Sequence, residues 1–336
     1  QTSWKELDRV TLTSAGDTLD SGTITAKDNM MILTHIIPSG NTDAVVYRFN
    51  SDTGTNYAVR KSDNGGSDST NVNENGMNFK STNDSHVSFS VSEFANIATQ
   101  EKLGINHTVT DNGGGAGNAP NRKEMVGKWA NTSNAVTNVK AVNRDGSGDF
   151  NTGSELVVLG FDNDEADSGT NFWQELADVE LSSGTSNTID TGTFTAKKYL
   201  YLQFYSIPSG SQSYSVMRFN LDEGNNYASR YSTNGGSDAS HGGNNYILFY
   251  APLNNSERFM SAFIVNNSSK EKLVVGEGVS QNTAGAGNAP ERRELTGKWA
   301  NTSNSITSIQ MHSDSDDDNP SRLFAAGTRV KVWGSD

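Results

Sequence analysis

The chain has no cysteine, only six prolines and five histidines, and no apolar run of membrane-spanning length. Without cysteine it can form no disulfide, no thiolate metal site and no cysteine nucleophile. A membrane-spanning helix needs about 18 or more consecutive apolar residues, and no segment reaches that length. Basic residues are also scarce, because 26 Lys and Arg stand against 39 Asp and Glu, and the net charge is −13. An acidic protein repels phosphate, so we expect no nucleic-acid partner. The lack of a long apolar run leads us to expect no membrane span.

The sequence contains one long internal repeat. Its clearest element is Gly127-Lys-Trp-Ala-Asn-Thr-Ser-Asn134, which returns as residues 297–304. Shorter matches precede it at a nearly constant offset: Trp4-Lys-Glu-Leu7 with Trp173-Gln-Glu-Leu176, and Asn64-Gly-Gly-Ser-Asp68 with Asn234-Gly-Gly-Ser-Asp238. A steady offset of this length indicates duplication of a whole domain. We therefore predict domains at 1–162 and 171–336, joined by an acidic linker at 163–170 that lacks large apolar residues.

Period-two patterns dominate the secondary-structure prediction. Val87, Phe89 and Val91 alternate with polar residues, and Tyr199-Leu-Tyr-Leu-Gln-Phe-Tyr205 has the aromatic content of a strand. Turns rich in Gly, Asn, Asp and Ser separate these runs, and no stretch keeps a helical period. The sequence predicts an all-β protein of two tandem, duplicated, jelly-roll-like antiparallel β-sandwich domains. We expect the repeated tryptophans to lie in the two cores.

Enzymatic chemistry has little support in the sequence. None of the histidines recurs in the other copy: they are His35, His86, His107, His241 and His312. This excludes a histidine-based site common to both domains. The glycine-rich stretch from Gly113 superficially resembles a phosphate loop, but Trp129 follows Lys128 where that motif requires Ser or Thr. Most of the repeated carboxylates fall in turns, where Asp binds its own backbone. We predict that the protein is not an enzyme.

Long shared loops and a few aromatic residues are the candidate binding sites. Both copies contain a Gly- and Ala-rich loop that ends in Asn-Ala-Pro, and such loops often carry contacts. The candidate loop residues are Asn118, Pro120, Asn288 and Pro290, and the candidate sugar-binding aromatics are Tyr57, Tyr227 and Tyr231. The tyrosines also fit as ordinary strand residues, and the loops as ordinary turns.

No cofactor is required by these patterns, and calcium is the one that the sequence could accommodate. Asp314, Asp316 and Asp318 supply clustered hard oxygen ligands of the kind that Ca²⁺ prefers. The cluster lacks the glycine and the bidentate Glu of a complete calcium loop. A solvated acidic turn is the alternative interpretation.

The end of each repeat resembles a known group of proteins. The Gly-Lys-Trp-Ala-Asn-Thr-Ser-Asn block, the turn Gly146-Ser-Gly-Asp-Phe150 and the strand Gly153-Ser-Glu-Leu-Val-Val-Leu-Gly160 resemble segments of structural proteins of marine tailed viruses, of decoration, fibre or tail type. The second copy has Ser-Asp-Asp-Asp-Asn-Pro where the first has the Gly-Ser-Gly-Asp-Phe turn. The resemblance names no functional residue. It implies a virion structural protein at the virion surface or in an extracellular setting.

The sequence therefore leaves three functions open. The first is a non-enzymatic virion structural protein, a capsid decoration or fibre or tail component, whose partners are further copies of itself or other virion proteins. Duplicated domains suit such assemblies, since one surface can be used twice. The alternatives are a tandem carbohydrate-binding module that binds a host-surface glycan with avidity, and an extracellular filament or surface-layer subunit of a cell.

Overall fold

The computed structural model describes residues 4–42, 45–80, 85–144, 148–165, 170–210, 213–250, 256–314 and 319–336. Every regular element among these residues is a β-strand. The described residues contain no apolar helix long enough to cross a membrane. The chain forms two compact units. The first comprises Gln1–Asn112 and Asn121–Phe172, and the second comprises Gly113–Pro120 and Trp173–Asp336.

Twelve strands build the described part of the first unit. They are β1 (Lys5–Thr11), β2 (Thr18–Asp20), β3 (Asn29–Ile36), β4 (Val45–Phe49), β5 (Tyr57–Asp63), β6 (Ser69–Glu74), β7 (Met77–Asn78), β8 (Ser88–Ala95), β9 (Lys102–Thr110), β10 (Asn121–Trp129), β11 (Val139–Asn143) and β12 (Glu155–Phe161). An eight-stranded sheet has the order β1-β12-β3-β8-β9-β10-β5-β6, and a four-stranded sheet has the order β2-β11-β4-β7. All pairings are antiparallel, and the core lies between the two sheets.

Fifteen strands build the described part of the second unit. They are β13 (Gln174–Glu180), β14 (Thr185–Ser186), β15 (Thr188–Asp190), β16 (Tyr199–Ser206), β17 (Pro208–Gly210), β18 (Ser215–Phe219), β19 (Tyr227–Thr233), β20 (Ala239–Asn244), β21 (Ile247–Tyr250), β22 (Arg258–Val265), β23 (Lys272–Ser280), β24 (Glu291–Trp299), β25 (Ile309–His312), β26 (Arg322–Ala325) and β27 (Arg329–Ser335). Its large sheet, β13-β27-β16-β22-β23-β24-β19-β20, repeats the order of the first unit strand for strand, as does β15-β25-β18-β21. A small sheet, β14-β26-β17, is additional. The predicted all-β sandwich architecture is confirmed.

The repeated Gly-Lys-Trp-Ala-Asn block is a structural motif. Trp129 is buried, and its indole N–H donates to Asp52 Oδ2 at 2.8 Å. The buried Lys102 ammonium donates to three backbone carbonyls, including that of Asn131, and the Asn131 side chain accepts the N–H groups of the next turn. The second unit repeats these bonds: Trp299 donates to Asp222, and Lys272 donates to the carbonyl of Asn301, whose side chain accepts from the next turn. Buried indole and ammonium donors need partners, which explains why these residue types recur together.

The acidic stretch near the predicted linker, 163–170, begins within the first unit. Asp162 and Glu165 form ion pairs with Lys27, at 2.9 and 3.1 Å. The bond from Lys27 lowers the pKa of Asp162, and bonds from Lys5, the Asp162 N–H and Lys27 lower the pKa of Glu165 to about 2. The Phe172 N–H donates to the Trp4 carbonyl at 2.7 Å. The first half of the acidic stretch is therefore part of the first unit, and residues 166–169 lie outside the described residues.

Candidate functional site

The second unit holds residues 113–120 against one face of its large sheet. Four polar contacts fix this loop, and each uses a backbone group of the loop. They join the Gly113 carbonyl to Lys298 Nζ (2.6 Å), the Gly115 N–H to Glu271 Oε1 (2.5 Å), the Ala116 carbonyl to the Gly243 N–H (2.6 Å) and the Pro120 carbonyl to Arg230 Nε (2.8 Å). Because these four contacts use only backbone groups of the loop, they depend on its backbone conformation more than on its side chains.

The large sheet of the second unit lets the backbone of loop 113–120 come very close to its surface. A Cβ atom at Gly242 would lie 2.8 Å from the Gly117 carbonyl oxygen, so this position has no room for a side chain. Lys298 and Glu271 form an ion pair at 3.2 Å, and the Lys298 side chain is fully buried. The apolar positions between the polar contacts, Leu273 and Val275, are buried as well.

Both Gly- and Ala-rich loops hold the same turn. The Asn118 side chain donates to the Gly114 carbonyl at 3.1 Å, and Asn288 donates to the Ala284 carbonyl at 3.2 Å. These two candidate contact residues therefore shape their own loops. Pro120 is buried, whereas Pro290 and its whole loop from residue 283 are exposed. One local conformation thus occurs in two different surroundings.

The first unit presents the equivalent sheet face open to solvent. Val72, Leu103, Ile105 and Val126 are 66%, 58%, 55% and 50% exposed. They line a groove of about 820 Å³, which we call the first-unit groove, together with Ala58, Arg60, Thr70 and Lys128. The repeat aligns these four positions with Gly242, Leu273, Val275 and Thr296 of the second unit, where the last three are buried.

The exposure is reversed at the opposite end of β9 and β23 and on the strands beside that end. Tyr205, Phe259 and Val279 are cross-strand neighbours in the second unit and are exposed; we call them the outer row. Their counterparts in the first unit are buried: His35, Phe89 and Val109. Among the described residues, the groove and the outer row contain all large exposed apolar side chains except Ile97 and Leu221.

The candidate sugar-binding tyrosines lie elsewhere. Tyr57 and Tyr227 are core residues whose hydroxyls accept the N–H groups of Phe49 and Phe219, and burial raises the pKa of both phenols. Tyr231 is half-buried, with the Arg293 guanidinium 4.3 Å from its ring centre. Tyr57 and Tyr227 are therefore core residues and not sugar-binding ones, because a buried ring cannot stack on a sugar. For Tyr231 the assignment stays a prediction.

Asp314, the first residue of the candidate calcium cluster, is buried and already paired. Its carboxylate accepts from Arg322 Nη1 at 2.5 Å and from the Asn319 N–H at 2.9 Å. Asp316 and Asp318 lie outside the described residues. Within the described ranges, no group of three or more His, Asp or Glu side chains is arranged to hold a metal ion.

One buried cation has a strongly shifted pKa. Burial lowers the pKa of Lys123 to about 7, and its ammonium donates to Asn78 Oδ1 and to the Lys80 carbonyl. The second unit has Arg293 at this position.

No protein-family model matches the chain, and no curated protein matches it. Among solved structures, it is similar to domains LG4-5 of the mouse laminin α1 chain, with a TM-score of 0.20, 10% identity, and coverage of 99% of this chain and 91% of that chain. It is also similar to the Yersinia pestis attachment invasion locus protein Ail (TM-score 0.14, 7% identity, 81% and 98% coverage) and to Neisserial surface protein A (TM-score 0.13, 9% identity, 86% and 99% coverage). Scores at this level support no inference about a site or a ligand.

Proposed function

We propose that this protein is a non-enzymatic structural protein that acts through assembly and surface contacts, as a decoration, fibre or tail component of a virion. The observation that carries the proposal is the first-unit groove, where Val72, Leu103, Ile105 and Val126 are each at least half exposed. Contiguous exposed apolar surface of this kind marks protein–protein contact sites. The virion setting rests on the resemblance of the repeated C-terminal segments.

The shared positions of the two units support a role without a reactive centre. Trp129 and Lys102 are among the side chains that recur with the same contacts in both units, and these contacts bind backbone or stabilise the core. The tandem carbohydrate-binding alternative loses Tyr57 and Tyr227 as ligand-facing aromatics, since both are buried.

Peptide mass spectrometry of purified native particles, combined with electron microscopy of antibody-labelled particles, tests the proposal. We expect the protein to co-purify with capsid and portal proteins and to label the particle surface at regular positions. Co-purification with lipid and cell-envelope proteins would replace the virion by a cell surface. Specific retention on a glycan array, abolished by free sugar, would favour the carbohydrate-binding alternative.

A further inference from the structure

We propose that the occupant of the first-unit groove is a second copy of this chain, which inserts its loop 283–290 and covers the groove with its outer row. The inference rests on the proposed structural role and specifies its partner. Its basis is that the second unit already holds a loop of nearly the same sequence, Gly113–Pro120, on the equivalent face. The chain contains a second loop and a second sheet face of this kind, loop 283–290 and the first-unit groove. Both are exposed.

The polar groups that hold the loop in the second unit have counterparts at the groove. Lys128 and Glu101 form an ion pair at 2.9 Å and are 44% and 39% exposed, whereas their counterparts Lys298 and Glu271 are 0% and 11% exposed. Arg60 stands in the position of Arg230 and reaches only an exposed ion pair with Asp68, at 3.6 Å. These groups can therefore take the Thr283 and Pro290 carbonyls and the Gly285 N–H of another copy.

Backbone geometry at the groove's edge is also retained. Asn73 has a φ of 56°, close to the 65° of its counterpart Gly243, so its N–H can point at an incoming carbonyl in the same way. One position departs from the pattern. Val72 replaces Gly242, where even a Cβ would lie 2.8 Å from a loop carbonyl oxygen. The loop must therefore sit slightly further out on the first unit, and Val72→Gly should tighten the contact.

The two surfaces differ from each other, so the contact is heterologous. A chain that offers its loop to one neighbour still has an open groove for the next, and the assembly continues as a filament or closes as a ring. The exposed apolar side chains fit this arrangement, since the groove and the outer row would both lose their solvent exposure in one contact.

The first test measures self-association of the full chain by analytical ultracentrifugation over a wide concentration range. Ile105→Glu places a charge in the groove, and Phe259→Glu places one in the outer row; each should weaken association by at least about tenfold. Leu221→Glu is the matched control, because Leu221 is as exposed as Ile105 but lies outside both surfaces. It should leave association within about twofold of the parent.

The second test mixes the two defective variants. The Ile105→Glu chain keeps a working loop and outer row, and the Phe259→Glu chain keeps a working groove. A heterologous contact predicts a 1:1 complex in the mixture that grows no further. Circular dichroism of each variant checks that both remain folded, and Val72→Gly supplies a variant expected to associate more tightly.

Several results would overturn the inference. They are a parent chain that stays monomeric up to its solubility limit, an equal loss in Leu221→Glu, or variants that do not complement each other. A monomeric chain that still localises to particles would refute self-assembly and leave the proposed structural role standing. A self-associating chain absent from particles would do the reverse.

Discussion

Leu103 and Leu273 allow a direct test of the difference between the two sheet faces. They are the same residue type at equivalent positions of β9 and β23, but Leu103 is 58% exposed and Leu273 is fully buried. Truncating a buried leucine to alanine costs about 2–5 kcal/mol, because transfer free energy and packing are both lost. Leu103 is buried to about two fifths, which scales a full burial value of about 1.5–3 kcal/mol to about 0.6–1.3 kcal/mol. Leu273→Ala should therefore destabilise its strand by at least about 1–2 kcal/mol more than Leu103→Ala.

The measurement must resolve the two units separately, because a chain of two units has no single free energy of unfolding. Amide hydrogen exchange followed by mass spectrometry does this, with peptides from β9 and β23 reporting the local opening free energies. The experiment should use the lowest workable concentration, so that self-association does not protect Leu103. Equal losses at the two positions would refute the assignment of one covered and one open face.

A second pair reverses the order and serves as the control. Val109 in the first unit is fully buried and its counterpart Val279 is exposed, so Val109→Ala should cost more than Val279→Ala. A general difference in stability between the units would shift both pairs in the same direction. Only a difference in local burial shifts them in opposite directions.

Three further substitutions test the internal polar contacts. Burial holds the pKa of Lys123 near 7, against 10.5 in the unfolded chain, so the unfolded state binds more protons between those values. Stability of the first unit should fall by up to about 1.4 kcal/mol per pH unit as pH is lowered from 10 to 7, and Lys123→Met should flatten that slope in denaturant titrations that follow first-unit peptides by proteolysis and mass spectrometry. Trp129→Phe removes the bond to the Asp52 carboxylate and should cost about 1.5–3 kcal/mol in protection of the first unit by hydrogen exchange; no change would contradict the role of that bond. Arg322→Met leaves the buried Asp314 carboxylate without its ion pair to Arg322 and should cost about 3–5 kcal/mol of second-unit stability. Adding Asp314→Asn should restore part of the loss, as measured by hydrogen exchange of second-unit peptides.

Much of the fold could be predicted from the sequence because its determinants are local. Alternation in segments such as Ser88–Ala95 predicts a strand, and turn residues mark where each strand ends. The duplicated blocks predicted two units, and the strand orders of the two large sheets agree with that prediction. The burial of Trp129 and Trp299 was expected for the same reason, since large apolar rings in both copies favour the core. The same expectation was wrong for Trp4, which is only half-buried and lies outside the core of the first unit.

The candidate contact residues were less accessible to sequence reasoning. Tyr57 was a candidate sugar-binding residue because it is aromatic, and residue type alone does not show on which face of a strand the ring lies. The groove residues were missed, although one signal was present. Lys272-Leu-Val-Val275 is apolar on both faces of its strand, as expected for a strand covered on both sides. Its counterpart, Lys102-Leu-Gly-Ile105, also has apolar residues at the two outward positions, Leu103 and Ile105. This pattern indicates that the outward face of β9 is also covered by a partner.

By itself the sequence determined the strands, their turns, the duplication and the two cores, because these follow from periodicity and from side-chain hydrophobicity within each repeat. Only the tertiary structure decided which of two similar loops is held and which of two similar sheet faces is covered. Residues 113–120 and 283–290 differ little and adopt the same turn, so no local interaction separates them. Their difference arises from contacts with Arg230, Gly243, Glu271 and Lys298, which are more than 100 residues away along the chain from the loop that they bind.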